Sequence, residues 1–261
     1  MGEDRSWYET GYDGVKKEED RIAASQGPQR LWIPAGTGKD IVFLDDDPTC
    51  IHEHNPKMNG HWRNWMTCLK GVYDKVVCCE RLGSSSRYYV GYFTVIDCSE
   101  WTDKKGNKYQ YEIKLLGAKL KTLKKLRRKR DDRGSLVGCL FSAFREDGRS
   151  PSVGDEFEFK REVDMAKLFE LVNFKGKNLG ELFDKAMVDS DVMGRFKKLF
   201  QLSMDAEGKV EKTLVPFNYM EILAPRTPED MLDMLGSYKK EDQDSDGGGS
   251  SSSDQDDDVP F

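Results

Sequence analysis

The sequence predicts a mainly β fold, a small Greek-key barrel interrupted by one basic helix. Three observations carry that reading. Residues 88–98 read YYVGYFTVIDC, a run dense in the β-branched and aromatic residues that suit a pleated surface. Further short apolar runs are separated by glycine-bearing turns, as expected for a many-stranded barrel. Between two of them, Leu120, Leu123 and Leu126 recur at helical spacing, with lysines and arginines on the remaining faces.

Residues 1–28 are polar and aperiodic and read as an N-terminal arm with a short helix at 18–25, ended by Gly27-Pro28. The core is expected over 29–225. It opens with strands at 31–33 and 41–44 joined by a Pro34–Gly38 turn, and the aspartates 45–47 before Pro48 then break the chain. A Cys/His-bearing subregion, 50–79, follows. The strand at 88–98 turns at 103–107 into a hairpin partner at 108–115. The basic helix is expected over 117–130, with strands at 136–144 and 156–159 around a loop at 148–154. A helical part, 163–202, comprises helices at 165–174, 179–188 and 192–200. A last strand is expected at 215–223. Thr227-Pro228-Glu229 resembles a helix start with proline at the first helical position, giving a short helix within 226–238. Residues 239–261 are Gln, Asp, Gly and Ser almost throughout and read as a disordered acidic tail. Short strands, glycine turns and one inserted helix fit an OB-fold best among the small barrels.

Charge is unevenly spread. The net charge of −6 over 261 residues divides into −9 for residues 229–261 and +3 for the rest. Residues 104–149 alone hold fifteen Lys/Arg against five Asp/Glu. A basic core segment beside an acidic tail points to a polyanionic partner and a separate role for the tail. Nothing approaches the roughly 18 apolar residues of a membrane span, and the N-terminus lacks the layout of a signal peptide. Six cysteines in a chain this long suit reduced thiols of a cytoplasmic protein. Gly36-Thr37-Gly38-Lys39 lacks the spacing of a phosphate-binding loop and reads as a turn. The aspartates 45–47 could hold a metal for nuclease chemistry, but such a run is more often a loop.

The tail ends abruptly on Asp256-Asp257-Asp258-Val259-Pro260-Phe261. A purely solubilising tail has no reason to end on phenylalanine. A basic-rimmed pocket would capture this end through its carboxylate and its ring. These six residues resemble the tip of bacterial single-stranded-DNA-binding proteins. The resemblance implies that Asp256, Asp257, Asp258, Val259, Pro260 and Phe261 dock replication and recombination proteins.

All three histidines, His52, His54 and His61, and four of the six cysteines lie in residues 50–79. Zinc takes four soft or borderline ligands in a tetrahedron, which histidine and thiolates supply. The usual C-x2-C spacing is replaced by the adjacent pair Cys78-Cys79, which two side chains rarely bring to one ion without strain. Free thiols and surface histidines are the competing reading. The pattern resembles the helix-destabilising proteins of T-even and related tailed phages, which carry a histidine, an Asn-Gly-basic-Trp stretch, a cysteine and a C-x2-C pair around zinc. Here His54, Asn59-Gly60-His61-Trp62 and Cys68 match in order. Cys78 stands where the first cysteine of the pair falls, and the second falls on Arg81. Alternatively Cys79 is the second and Val76 replaces the first, and Cys50 or Cys79 could substitute. The resemblance spans residues 31–165, most closely 51–98, and implies a structural zinc with His54, Cys68, Cys78 and Cys79 as the candidate ligands.

Sequence-independent binding of single-stranded DNA needs cations along a groove and aromatic platforms for bases. The candidate cations are Lys119, Lys121, Lys124, Lys125, Arg127, Arg128 and Arg130. Strand parity, with Phe93, Val95 and Leu115 taken as core, selects Tyr88 and Tyr92 as platforms, together with Trp62, Trp65, Phe141 and Phe144. For any one of these rings core packing is the competing reading. Together the features lead to a non-enzymatic protein that coats single-stranded DNA in phage replication, recombination and repair, in the host-cell cytoplasm. The alternatives are a metal-dependent nuclease, or an adaptor that bears the tail without binding DNA itself.

Overall fold

The computed structural model describes residues 27–58, 61–62, 66–102, 106 and 108–236. The expected helix at 18–25 and the acidic tail with its docking tip lie outside the described residues.

The chain begins with strands β1 (Thr37–Phe43) and β2 (Thr49–His54), then short strands β3 (Lys57–Met58), β4 (His61–Trp62) and β5 (Met66–Thr67). Helix α1 (Val77–Leu82) leads to β6 (Arg87–Asp97), the hairpin β7 (Trp101–Thr102) and β8 (Lys108–Tyr109), and β9 (Glu112–Lys119). Helix α2 (Leu120–Arg133) precedes β10 (Cys139–Arg145) and β11 (Glu156–Glu162). The last third holds α3 (Met165–Phe169), β12 (Asn173–Phe174), β13 (Lys177–Asn178), α4 (Leu179–Val188), α5 (Ser190–Leu199), α6 (Tyr219–Ile222) and α7 (Pro228–Leu235). The fold is mixed α and β around a mostly sheet core. Among the described residues no helix is long and apolar enough to cross a membrane.

Strand β6 organises the sheet. Its C-terminal half pairs with β1, its N-terminal half with β2, and its whole length but the first residues with β9, all antiparallel. Between the Phe43–Val95 and Thr49–Tyr92 pairs, β1–β2 carries three more residues than β6. The surplus is a bulge containing the three aspartates. Each has a structural task. Asp45 accepts from the Thr94 amide and the Tyr219 hydroxyl, Asp46 from the amides of Leu136 and Val137, and Asp47 from Arg130. The reading of this run as a loop rather than a metal site fits that arrangement.

The five long strands lie in the order β11–β10–β1–β6–β9, which is 5-4-1-2-3 when they alone are numbered, with α2 between the third and fourth. They do not close into a barrel. The outer edge of β9 is already taken: Leu31 N–H donates to Leu115 O (2.9 Å) and Leu115 N–H to Gln29 O (2.8 Å), while Asn173 of β12 pairs with Glu112. Ile33 N–H then reaches Ser152 O (2.8 Å) in the β10–β11 loop. Residues 31–33, expected as a strand, thus form with Gln29 and Arg30 an extended strap across the gap. β11 remains an edge strand whose exposed positions are mostly charged, which discourages edge-to-edge pairing.

Period-2 alternation separates two cores. Ile41, Phe43, Phe93, Val95, Phe141 and Ala143 face the inside of the curled sheet with Leu31, Ile33 and Leu126 of α2. Val42, Val90, Tyr92, Ile96, Ile113 and Leu115 face the other way, beneath the helical last third with Phe169, Phe200 and Phe217. Leu115 therefore lies opposite Phe93 and Val95 rather than among them, because β9 is antiparallel and Phe93 faces Leu116. Three elements also differ from expectation. The 165–174 helix stops at Phe169, because Asn173 joins the sheet. The 215–223 strand is instead a bridge at Phe217 followed by α6. Helix α2 starts at Leu120, since β9 keeps residues through Lys119.

Candidate metal centre and nucleic-acid interface

The long β2–β6 ladder and the short β5 strand converge on one end of the sheet. His54 ends β2 and pairs with Met66 of β5, placing Cys68 just beyond, where its amide donates to His52 O (2.8 Å). Helix α1 brings Cys78 and Cys79. The ligating atoms of His54, Cys68, Cys78 and Cys79 all lie within 4.8 Å of one another. These are the four candidates selected from sequence. Cys50 is exposed on β2 and stands outside the group.

Tetrahedral zinc has bonds of about 2.3 Å to sulfur and about 2.0–2.1 Å to nitrogen. Such a tetrahedron has S···S edges of about 3.8 Å and S···N edges of about 3.6 Å. The corresponding separations are 3.5 Å for Cys68–Cys79, 3.9 Å for Cys68–Cys78 and 3.6 Å from Cys79 Sγ to His54 Nε2. The sulfurs are also too far apart for a disulfide, which needs about 2.05 Å. The four residues fit zinc. Adjacent Cys78 and Cys79, both on α1, nonetheless place their sulfurs in one cluster with Cys68 and His54.

Surrounding groups prepare the ligands. Ser86 Oγ donates to Gly83 O (2.8 Å) and so accepts from His54 Nδ1–H (2.8 Å), which leaves the Nε2 lone pair facing the sulfurs. Burial, then nearby Arg87, hold the imidazole pKa down at about 4, so it is neutral at pH 7. Leu69 N–H donates to Cys78 Sγ (3.3 Å). Burial pushes the Cys79 thiol up to about 12 and raises Cys78 as well. A divalent cation reverses that tendency, because it supplies the positive charge thiolates need in a low-dielectric site.

One step up the same ladder lies a surface of another kind. His52 stands directly opposite Tyr89, with ring centroids 5.2 Å apart in an edge-to-face arrangement. Tyr89 is 40% exposed. The β6–β9 ladder ends at Val90–Lys119, and Leu120, which begins α2, is 54% exposed. Gly91 brings α2 close: a Cβ there would lie 2.6 Å from Leu123 Cδ2 and 2.9 Å from Pro48 Cβ. Exposed Lys121, Lys124 and Arg128 form one stripe of α2 at i, i+3, i+7 spacing and make no ion pair among the described residues.

The other selected residues divide. Lys119 lies over the Tyr88 ring (5.8 Å), and Tyr88 is half-buried, its hydroxyl pKa raised by burial and by Glu53. Arg127 is exposed and approaches Asp131 (3.8 Å), Arg130 pairs with Asp47 and Asp131, and Lys125 donates to Asp155 O. Phe144 is 38% exposed. Two choices are corrected. Tyr92 is fully buried, its hydroxyl donating to Glu53 and its ring under Arg30, and Phe141 is fully buried in the inner core beside Phe43. Neither offers a face to a base. The parity argument failed because the 88/90/92 side of β6 is covered by Arg30, Glu53 and the helical last third, which lie far away in sequence. Trp62 lies on β4 and Trp65 outside the described residues. The missed residues are Tyr89 and His52, and Gly91 was the available signal: a glycine inside a strand marks close approach of another element, here the cationic helix on the 89/91/93 side.

Comparison with protein-family models, curated proteins and solved structures returns no significant match for this chain.

Proposed function

We propose that this protein binds single-stranded DNA without acting on it chemically, on an OB-type sheet braced by a structural zinc centre. The observation that carries the reading is the exposed Tyr89 ring, set edge-to-face against half-buried His52, on the side of β6 where Gly91 lets the cationic helix α2 approach. It supplies a sequence-tolerant stacking face next to phosphate-binding charge. The 5-4-1-2-3 strand order with a helix after the third strand supports an OB fold opened between its third and fifth strands, where the 29–33 strap intervenes. In this reading zinc is held by His54, Cys68, Cys78 and Cys79 and supplies cross-links between β2, β5 and α1 rather than chemistry. The C-terminal Asp256–Phe261 tip recruits proteins of phage DNA replication, recombination and repair to the coated strand.

The test is anisotropy of labelled oligo-dT and of a duplex of equal length, over a salt series. Preferential, salt-sensitive binding of oligo-dT is expected. Equal affinity for both forms, or none for either, would overturn the proposal. Zinc is tested separately by metal analysis and by the visible spectrum of a cobalt-substituted sample, in which thiolate-to-metal bands report three sulfur ligands.

A further inference from the structure

The His54–Cys79 centre lies in a core of its own. Met66, Cys68, Leu69, Val77, Cys78 and Leu82 form an apolar cluster separate from both faces of the sheet. Among the described residues one distant element completes it. Met231 and Leu235 of α7 are fully buried there, with Leu232 and Met234 packed at its margin. The chain approaching α7 is tied to the same unit, for Thr67 Oγ1 donates to Leu223 O (2.8 Å). Two of the four candidate ligands, Cys68 and Cys78, thus belong to the surface that α7 covers.

A cluster this small cannot hold its parts by burial alone, and units of this size usually need a metal or disulfide staple. The four ligands come from the end of β2, the residue after β5 and two positions of α1. A cation joining them fixes the relative placement of the elements that form the seat for Met231 and Leu235. Linkage then runs both ways: whatever the metal contributes to α7 docking, α7 docking contributes to metal affinity.

Resting on the zinc reading above, we propose that the centre is the latch of helix α7, so that metal occupancy decides whether α7 is held against the β5–α1 unit. Residues 237–261, with their acidic run, follow α7 directly in the chain. The latch therefore sets the point from which the docking tail leaves the fold. Neither His52 nor Tyr89 belongs to the apolar cluster that α7 completes.

The experiment is hydrogen exchange on the full chain, zinc-loaded and chelator-stripped, with residues 139–145 as internal reference. Protection at 228–236 and 77–82 should fall about tenfold or more on stripping, with 139–145 unchanged. Equal protection at 228–236 in both forms overturns the latch. In the reciprocal arm, M231A and L235A should each weaken zinc binding by about fivefold or more in competition with a chromogenic chelator, while the exposed-site control E229Q leaves it unchanged. Wild-type zinc affinity in both core variants also overturns the latch, and this arm decides alone if stripping unfolds the whole chain. A chain that takes up no zinc overturns the metal reading and the latch together, whereas oligo-dT binding is measured independently of both.

Discussion

Tyr89 and Tyr92 lie three residues apart on β6 and meet opposite surroundings. Tyr89 points to the side where helix α2 and solvent meet, while Tyr92 points into the outer core and gives its hydroxyl to Glu53. Y89A is expected to weaken oligo-dT binding by about 1–3 kcal/mol, the usual value of one stacked base, with little change in Tm. Y92F should do the reverse: it leaves a buried carboxylate short of a donor, costs about 1–3 kcal/mol of stability and leaves the affinity of the folded fraction unaltered. Anisotropy and thermal melts on the two variants separate the roles. Asp45 is a second case in which neighbours decide. Burial raises its pKa to about 6, against the hydrogen bonds from Tyr219 and Thr94 that lower it, whereas an unfolded aspartate titrates near 3.9. Between those values the folded chain binds more protons than the unfolded one. The destabilisation is therefore fully present above pH 6, is relieved as pH falls, and is gone below about 4. Two units correspond to about 3 kcal/mol at most. Thermal melts between pH 7 and 5 should show the wild type gaining stability relative to D45N, and parallel profiles would refute the assignment.

At the scale of elements, α2 is the part that sequence and structure describe most alike. Its apolar face, its charge and its place between two strands are legible from residues 117–130 alone. Its start is not, since Lys119 remains in β9 by pairing with Val90. Nor is its exposed stripe: Thr122 and Leu126 are buried but Leu120 is not. The stripe makes a quantitative expectation. If Lys121, Lys124 and Arg128 each meet one phosphate, replacing one by alanine should lower the slope of log K against log salt by about 0.7. Replacing the paired Arg130 should change it less, because its guanidinium is already engaged by Asp47 and Asp131. Gly91 governs how α2 sits. G91V forces Leu123 or Pro48 aside and should cost about 1–3 kcal/mol, with a matching loss of oligo-dT affinity as α2 lifts from Tyr89.

At the scale of the whole molecule, three cores divide the work among the described residues. The inner and outer cores share the sheet, and the third, around the cysteines, hangs from the β2–β6 ladder by its end. Metal removal should consequently act locally first. Chelation is expected to lower the Tm of the β5–α1–α7 unit while β1, β6, β9 and β10 keep their protection, and a single concerted loss would show the cores to be one cooperative unit. His52 and His54 occupy the same side of β2, two residues and about 7 Å apart. Loosening the centre should therefore also weaken the Tyr89 platform, opposite His52, more than the distant Phe144.

Local patterning determined the strand-rich core and the basic helix, because alternation and helical spacing are written in near neighbours, and a family resemblance in the Cys/His stretch supplied His54, Cys68, Cys78 and Cys79 as candidate ligands. Tertiary structure decided what depends on contacts distant in sequence. The 29–33 strap keeps the barrel open by taking the β9 edge. The covering of one face of β6 turned Tyr92 into core and left Tyr89 as the exposed ring of that strand. The adjacent pair Cys78-Cys79 reads from sequence as a flaw in a zinc pattern, and becomes a fit only when the β2–β5 pairing brings His54 and Cys68 within 4.8 Å of both sulfurs.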